Sequence, residues 1–561
     1  MRLFYSLILH FLILNNIFPQ DKYPADYFRT PLPSGYNISS NFGEIRPSHF
    51  HAGLDYNAKS GENVYAIANG FISRVKVSSK GYGNAIYISH PNGFVSVYAH
   101  LSEFCDELAT YVYKAQHDRQ LFEIDDYLYP GEYSVSSGDI IGKTGNTGRS
   151  FGPHLHFEIR DEITEEPINP LYFGMRLQDV EPPGFKAVYF YKFADKIEGH
   201  KYTGSGILSL QKKDTLKIYG KVGFGVEVHD YMRRKENEKF GLYKLELMID
   251  DSLIFKFQME RISFDESKYL NSFVDYDRYR SENLKITKCF IEPNNKLKIY
   301  KSTGNGIYNF SDGKSHTVRI KASDINGNSS FIRFIVLSDS TTKTKSDLRL
   351  SPDLKEINCK KEELFTAKDF YLGFSNNSLY YNINFHYNTT HSGSKIYSKY
   401  HHIHNQAVPL HLGPVLRIKP YPIPESLKPK ALIVGINRNH EHFYAGGIWK
   451  GDSLETTINT FGTYYVSVDT IEPVIKKLIP GNRKNLDLNK LKFQIWDNLS
   501  GIGEIVSFID NKWVLFEYDE KNNLITCNLI KEKIERGEHF LVLWVTDQKG
   551  NIASYESKFT Y

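Results

Sequence analysis

Five histidine and aspartate side chains in one stretch of this chain could bind and use a metal ion. His51 and Asp55 stand four apart around Gly53, His100 closes Tyr98-Ala-His100, and His154-Leu155-His156 follows Gly152-Pro153. If the last segment is a strand, both imidazoles project from one face and Leu155 from the other. A hydrolytic zinc site needs three protein ligands, an open position for water, and groups that move protons. The stretch supplies three candidate ligands and two spare imidazoles. Glu158 falls on the same strand face as the two histidines, and we read it as structural. A lone His-x-His is a weak motif; the weight lies in the three segments occurring together.

Short strands and glycine turns surround these residues. Val64–Ala68, Gly70–Val77, Ala85–His90 and Phe94–His100 read as strands, separated by turns such as Asn69-Gly70 and Asn92-Gly93. One helical interruption follows His100. Ser102 is placed to cap it, with Glu103, Asp106 and Glu107 in the first turn. Phe104, Leu108, Tyr111, Val112 and Ala115 fall at helical spacing.

Five segments in order carry a resemblance to a known family. They are Arg46-Pro-Ser-His-Phe-His51-Ala-Gly-Leu-Asp55, Gly81-Tyr-Gly-Asn84, Val97-Tyr-Ala-His100-Leu101, Gly138-Asp-Ile-Ile-Gly142-Lys-Thr-Gly145-Asn-Thr-Gly148 and Gly152-Pro-His-Leu-His-Phe-Glu158. Together they resemble the M23 zinc metallopeptidases, the lysostaphin and LytM-like peptidoglycan endopeptidases, over roughly residues 40–175, about one domain. The resemblance implies an antiparallel β-sheet peptidase fold. It makes His51, Asp55 and His156 the ligands of one Zn2+ per chain, and His100 and His154 the catalytic pair. This chain departs from the compact family pattern between His100 and Gly138, where a helical insertion spans about 102–132. Gly138-Asp-Ile-Ile-Gly142-Lys143-Thr144 also looks like a phosphate loop, but it has three residues where that motif has four.

The remaining sequence sets the context. The chain has 561 residues, 41% hydrophobic and 24% charged, enough for several buried cores. Aromatics at 14% favour half-buried strands, so the expected class is mainly β. A formal charge of +4 on this length gives no reason to invoke nucleic acid. Arg2 and the apolar run Leu3–Leu14 read as an export signal over residues 1–20, too short for a membrane span. No later segment is apolar enough to span a bilayer. Cys105, Cys289, Cys359 and Cys527 are widely spaced and suggest neither a disulfide framework nor a Cys-based zinc site.

Two linkers, Asp179-Val-Glu-Pro-Pro183 and Asp469-Thr-Ile-Glu-Pro473, each precede a β-rich module. The modules share a repeat. In His316…Asp324…Gly327-Asn328 and His539…Asp547…Gly550-Asn551, the four residues keep identical spacing. Alternating residues ahead of an Asp/Gly/Asn turn describe a strand entering a tight hairpin. Asp230 with Gly241, and Asp497 with Gly501, mark loops earlier in each module. Both modules are expected to be immunoglobulin-like sandwiches. The expected layout is a signal at 1–20, a leading segment at 21–45, the peptidase at 46–175, sandwiches at 184–340 and 474–561, and a β-rich domain at 345–468. A histidine-rich patch in that domain, His386, His391, His401, His402, His404 and His411, has no nearby carboxylate and reads as an exposed polar loop.

The leading functional reading is an exported zinc metalloendopeptidase, periplasmic, envelope-associated or extracellular, that cuts peptide bonds of peptidoglycan through a zinc-activated water. Envelope proteins are possible partners of the β modules. The alternative is a non-catalytic cell-wall-binding or regulatory protein that retains the M23 fold. Such relatives lose ligands, and this chain keeps all of them. An adhesin built on the β modules leaves the intact constellation unexplained.

Overall fold

The computed structural model describes residues 22–35, 37–175, 177, 179–193, 202–208, 215–232, 239–342, 355–393, 396–478 and 489–561. The export signal read at residues 1–20 lies outside them. The chain is mainly β. Among the described residues no helix is long and apolar enough to cross a membrane.

The N-terminal domain is built on a nine-stranded antiparallel sheet. Its order is Ile38–Ser40, Leu54–Asn57, His154–Asp161, Phe94–Ala99, Ala85–Ser89, Gly70–Val77 and Ile124–Tyr127, with Pro167–Ile168 and Ser134–Val135 pairing at the flanks. A second sheet joins Asn63–Tyr65, Ile140–Lys143 and Glu103–Phe104. Strand His154–Asp161 is central, and alternation divides its side chains. Leu155, Phe157 and Ile159 enter the core beside Tyr56 and Tyr98, all at 0% exposure. Full burial of a side chain of this size contributes about 1.5–3 kcal/mol. His154, His156, Glu158 and Arg160 take the opposite face. Gly53 is required for the close approach of the neighbouring strand, because a Cβ there would meet the Phe157 carbonyl oxygen at 2.1 Å.

The insertion after His100 differs from its expected form. The helix is Asp106–Arg119 with Cys105 at its N-cap, not Ser102. Glu103 and Phe104 are drawn into strand pairing with Gly142 and Lys143, which delays the helix start. The Ser102 hydroxyl instead donates to the Thr144 carbonyl at 2.8 Å. Beyond the helix, Ile124–Tyr127 extends the main sheet by pairing with Arg74–Val77. The Val64–Ala68 strand is shorter than expected, at Asn63–Tyr65.

The helix joins two domains. Leu108, Val112 and Ala115 lie in the N-terminal core. Near its C-terminus, His117 Nε2 is 3.0 Å from Glu532 Oε2 and packs edge-on against Trp513 at 5.1 Å. Both partners belong to the C-terminal module.

The two repeated modules have corresponding sheets. In the first, Lys244–Ile249 and Ser252–Gln258 form a hairpin beside Ser315–Ser323 and Ser329–Ser338. In the second, Ile502–Ile509 and Lys512–Trp513 form a hairpin beside Glu538–Asp547 and Ile552–Thr560. The repeated histidine has the same partner in both: His316 Nδ1 meets Asp250 Oδ2 at 2.6 Å, and His539 Nδ1 meets Asp510 Oδ2 at 2.6 Å. Those aspartates turn the hairpins in the left-handed region, at φ 48° and 49°. Each module has a second sheet, and one core lies between the two. The core of the first module also takes in Phe42, Ile45 and Phe50. The chain just ahead of His51 is therefore packed into the next domain.

The middle β region also has its own core between sheets. Only part of its histidine patch is the exposed loop expected, since His386 and His391 are exposed and outside any strand. His401 and His402 lie on strand Tyr400–Ile403, which pairs with Tyr387–Thr390. His401 is 2% exposed and meets the Tyr387 hydroxyl at 2.8 Å. The four cysteines are unpaired, three of them buried.

Candidate functional site

The sheet brings His51, Asp55 and His156 to one point. Asp55 Oδ1 lies 2.9 Å from both His51 Nε2 and His156 Nδ1, and the two nitrogens are 3.0 Å apart. The pairing of His156 with Asp55 across adjacent strands sets this approach. Three donors at such distances can share one ion. His100 and His154 stand beside them, with ring centroids 4.8 Å apart, and His154 Nε2 is 3.6 Å from Asp55 Oδ1. All five residues singled out in the sequence meet here.

Each imidazole is oriented through its other nitrogen. His51 Nδ1 donates to the Asn41 carbonyl at 2.8 Å, His100 Nδ1 to Thr147 at 2.9 Å, and His154 Nδ1 to Gly152 at 2.8 Å. His156 Nε2 meets Glu158 Oε1 at 2.8 Å. In every case the partner selects the tautomer and leaves the remaining nitrogen for the centre. His100 follows its strand in the left-handed conformation, φ 62°, a strained state for a non-glycine residue held at a site. Asn41 is itself held by Gly241 of the next module, through Nδ2 to the carbonyl at 2.9 Å and Oδ1 from the amide at 2.8 Å.

Two contributors were not assigned from sequence. Arg46 Nη2 donates to Asp55 Oδ2 at 2.8 Å and leaves Oδ1 to face the imidazoles. Glu158 is 0% exposed and does more than pack. It accepts from His156, from Tyr82 OH at 2.6 Å and from Arg160 Nε at 2.6 Å. Its oxygens are thus committed, so Glu158 orients His156 and is not placed to act as a general base. The shared strand face of His156 and Glu158 was the available signal. The phosphate-loop reading has no support: Ile140–Lys143 is a strand, and Lys143 Nζ pairs with Glu103 at 2.7 Å.

The local charges follow from burial and pairing. Burial opposes ionisation of Asp55, but His51 and His156 together hold its carboxyl well below the usual range. Burial would lower His156, yet its bonds to Asp55 and Glu158 raise it to about 9. Burial, then His156 and His154, push His100 down to about 3. Burial likewise lowers His154. His100 and His154 are therefore neutral at pH 7, as proton acceptors must be.

These shifts predict acid sensitivity in the metal-free chain. A histidine lowered on folding takes its proton more readily when unfolded, so its contribution is lost as pH falls below 6.5 towards the folded value. His229, His401, His404 and His411, each brought to about 4 mainly by burial, act in the same direction as His100. His156 acts oppositely: its contribution is full below 6.5 and is lost as pH rises through about 9. The urea midpoint should therefore fall between pH 7 and pH 4, and an unchanged midpoint would contradict these charge states.

The profile described as Peptidase family M23 matches residues 49–117 and 124–170, which contain all five site residues. The chain carries a peptidase family M23 domain. The matched segments break at residues 118–123, inside the insertion. The M23 region is similar to the DD-carboxypeptidase/endopeptidase Mpg of Neisseria meningitidis, 37% identical over 148 residues, covering 26% of this chain and 27% of that protein. It is also similar to the peptidoglycan DD-endopeptidase ShyA of Vibrio cholerae, 31% identical, covering 27% of this chain and 30% of that one. This chain thus spans about a quarter to a third of the curated relatives it matches. Among solved structures, the catalytic domain of lysostaphin from Staphylococcus simulans is 26% identical and covers 24% of this chain and 90% of its own, with a TM-score of 0.19. Outside the M23 domain, residues 355–469 match the profile of a Zu5-like domain.

One wall near the M23 centre involves the C-terminal module. Lys521 Nζ donates to the Asn146 carbonyl, and Glu520 lies 3.7 Å from Lys80. Asn146 directly precedes Thr147, whose carbonyl orients His100.

Proposed function

We propose that this chain is an exported zinc metalloendopeptidase that hydrolyses peptide bonds in peptidoglycan stems or crosslinks. The supporting observation is the convergence of His51 Nε2, Asp55 Oδ1 and His156 Nδ1 beside two neutral imidazoles. Two imidazoles and one carboxylate, with no fourth protein ligand among them, are a donor set suited to catalytic zinc. Zinc held there would polarise a peptide carbonyl and bring the pKa of water towards ~7. Relatives of the M23 region named as peptidoglycan DD-endopeptidases support the substrate class. Export rests on the Arg2 and Leu3–Leu14 pattern.

The chain's own residues have distinct roles in this reading. His51, Asp55 and His156 would be the ligands, and Arg46 holds Asp55 Oδ2 so that Oδ1 is left for the ion. His100 and His154 each place Nδ1–H on a carbonyl and turn a bare Nε2 towards the cleft. One takes the proton of the attacking water and passes it to the leaving amine. The other, with its bare Nε2, would accept a hydrogen bond from the same water and hold it for attack. The modules at 184–340 and 474–561 are immunoglobulin-like spacers or docking surfaces, and the region at 345–468 is a further β domain. They offer surfaces to envelope partners.

Mass spectrometry of muropeptides tests the function. Incubation of purified peptidoglycan with the chain should release new peptide-cleaved fragments. A chelator should stop their release, and added zinc should restore it. Unchanged muropeptides with the zinc-loaded chain would favour the non-catalytic reading. A further expectation concerns Glu158. Glu158→Gln keeps the shape but weakens the hold on His156 Nε2, and should reduce zinc affinity about 10–100-fold in competition with a chelator. Zinc affinity equal to the parent's would make Glu158 a packing residue only.

A further inference from the structure

Away from the M23 centre, the described residues hold two more groups of three acidic side chains. In Asp179/Asp230/Asp324 and in Asp469/Asp497/Asp547, each residue brings one oxygen within 4.8 Å of the other two. The groups occupy matching positions in the repeated modules. The first aspartate begins the linker before the module. The second follows a strand, Gly220–His229 or Lys490–Trp496. The third stands at the end of the repeated strand, Ser315–Ser323 or Glu538–Asp547. The supporting bonds also correspond. Asn328 Nδ2 donates to Asp324 Oδ2 at 2.7 Å and to the Asp179 carbonyl at 3.1 Å. Asn551 Nδ2 donates to Asp547 Oδ2 at 2.6 Å and to the Asp469 carbonyl at 3.1 Å.

Unsatisfied atoms point to a missing ligand in the second group. Ser500 is 3% exposed, and its amide donates to Asp469 Oδ2 at 3.0 Å. Its hydroxyl is buried with no hydrogen-bond partner. The amide contact sets Ser500 beside the Asp469 carboxylate, yet its hydroxyl bonds to none of the three aspartates. Asp497 Oδ1 is likewise buried and unpartnered, while Oδ2 accepts from Leu499 at 2.9 Å and Gly501 at 2.8 Å. Buried polar atoms of this kind are costly and rarely left alone. The first group lines a cavity of about 20 Å³, room for one small ion or water.

We propose that each aspartate triad is a calcium site that fastens a β module to the domain before it. Carboxylate, hydroxyl and carbonyl oxygens suit a hard cation. Calcium accepts about six to eight oxygens in a flexible shell at about 2.3–2.6 Å, which lets carboxylates, a hydroxyl and carbonyls serve together. Magnesium, at about 2.1 Å, demands a tighter and more regular shell. Each site draws its ligands from both sides of a junction, which makes the ion a structural clamp. The second clamp sets the pose of the module that rests on the M23 insertion and on Asn146.

Calorimetric titration of the full, zinc-saturated, calcium-free chain with calcium chloride tests the proposal. The expected result is two calcium ions per chain, one for each triad, with affinities on the order of 10⁻⁴–10⁻³ M or tighter, and a rise in melting temperature. The pair Asp497→Asn/Asp547→Asn should lose one ion, and Asp230→Asn/Asp324→Asn the other, with zinc content unchanged. If a double variant does not fold, the single Asp497→Asn replaces it, since the unpartnered Oδ1 is the oxygen most directly implicated. Absence of calcium heat and of any melting shift at millimolar calcium overturns the proposal. So does calcium binding that survives all four substitutions. Binding of magnesium but not calcium overturns the choice of ion.

Discussion

Replacing His51 with alanine is expected to remove zinc and hydrolysis together. The candidate ligands are three, and His51 Nε2 is one of only two nitrogens among them. Without it, Asp55 keeps His156 and Arg46, and the three-point grip becomes a two-point one. A two-ligand site does not hold zinc against buffer and water. Loss of the Lewis acid removes several kcal/mol of transition-state stabilisation, a rate loss on the order of 10³-fold or more. Metal analysis of the purified variant and muropeptide release from peptidoglycan read the two effects side by side. A variant that retains zinc at parental stoichiometry would show that His51 is not a ligand. One that loses zinc yet digests peptidoglycan at the parental rate would remove zinc from the mechanism.

Replacing His154 should separate the two properties. Its Nε2 is 3.6 Å from Asp55 Oδ1, near the centre, but it is not one of the three mutually close donors. His154→Ala leaves the ligand set intact and should keep most of the zinc. It deletes a neutral imidazole whose Nδ1 is fixed on Gly152 and whose Nε2 faces the cleft. Loss of a positioned acid–base group reduces turnover about 10²–10⁴-fold. The matching change His100→Ala should fall in the same range, and it leaves the strained φ of 62° in place, since only glycine would relieve it. Stopped-time assays at saturating substrate, with zinc content measured on the same samples, decide the matter. Zinc loss parallel to activity would make His154 a ligand. Parental turnover would leave it without a catalytic part.

The distance between sequence and structure differs by element, and each difference has a cause. Strand Gly70–Val77 was legible to its ends because turn residues bound it, although an irregularity between Ile72 and Arg74 breaks its alternation. The helix start was misplaced by three residues because Glu103 and Phe104 found strand partners across the fold, which outweighed a good local cap. The histidine patch looked polar in sequence, but cross-strand pairing with Tyr387–Thr390 buries His401. Asp230 and Asp497 were visible only as turn residues. Their association with the linker aspartates is a product of module packing.

The sequence by itself determined the candidate groups of the M23 centre. Residue type and order name the imidazoles and the carboxylate, and the alternation of a strand suffices to put His154, His156 and Glu158 on one face. It also determined that two modules share a plan, because identical spacing of His, Asp, Gly and Asn reflects one hairpin built twice. Tertiary structure alone decided which groups hold those side chains in place. Asn41 reaches His51 only because the next module pins it, Glu158 orients His156 only because Tyr82 and Arg160 close around it, and the insertion meets the C-terminal module hundreds of residues away. Local sequence encodes period and propensity over a few residues. Contacts between segments far apart depend on how whole sheets and cores come to rest against one another, and short-range pattern does not carry that information.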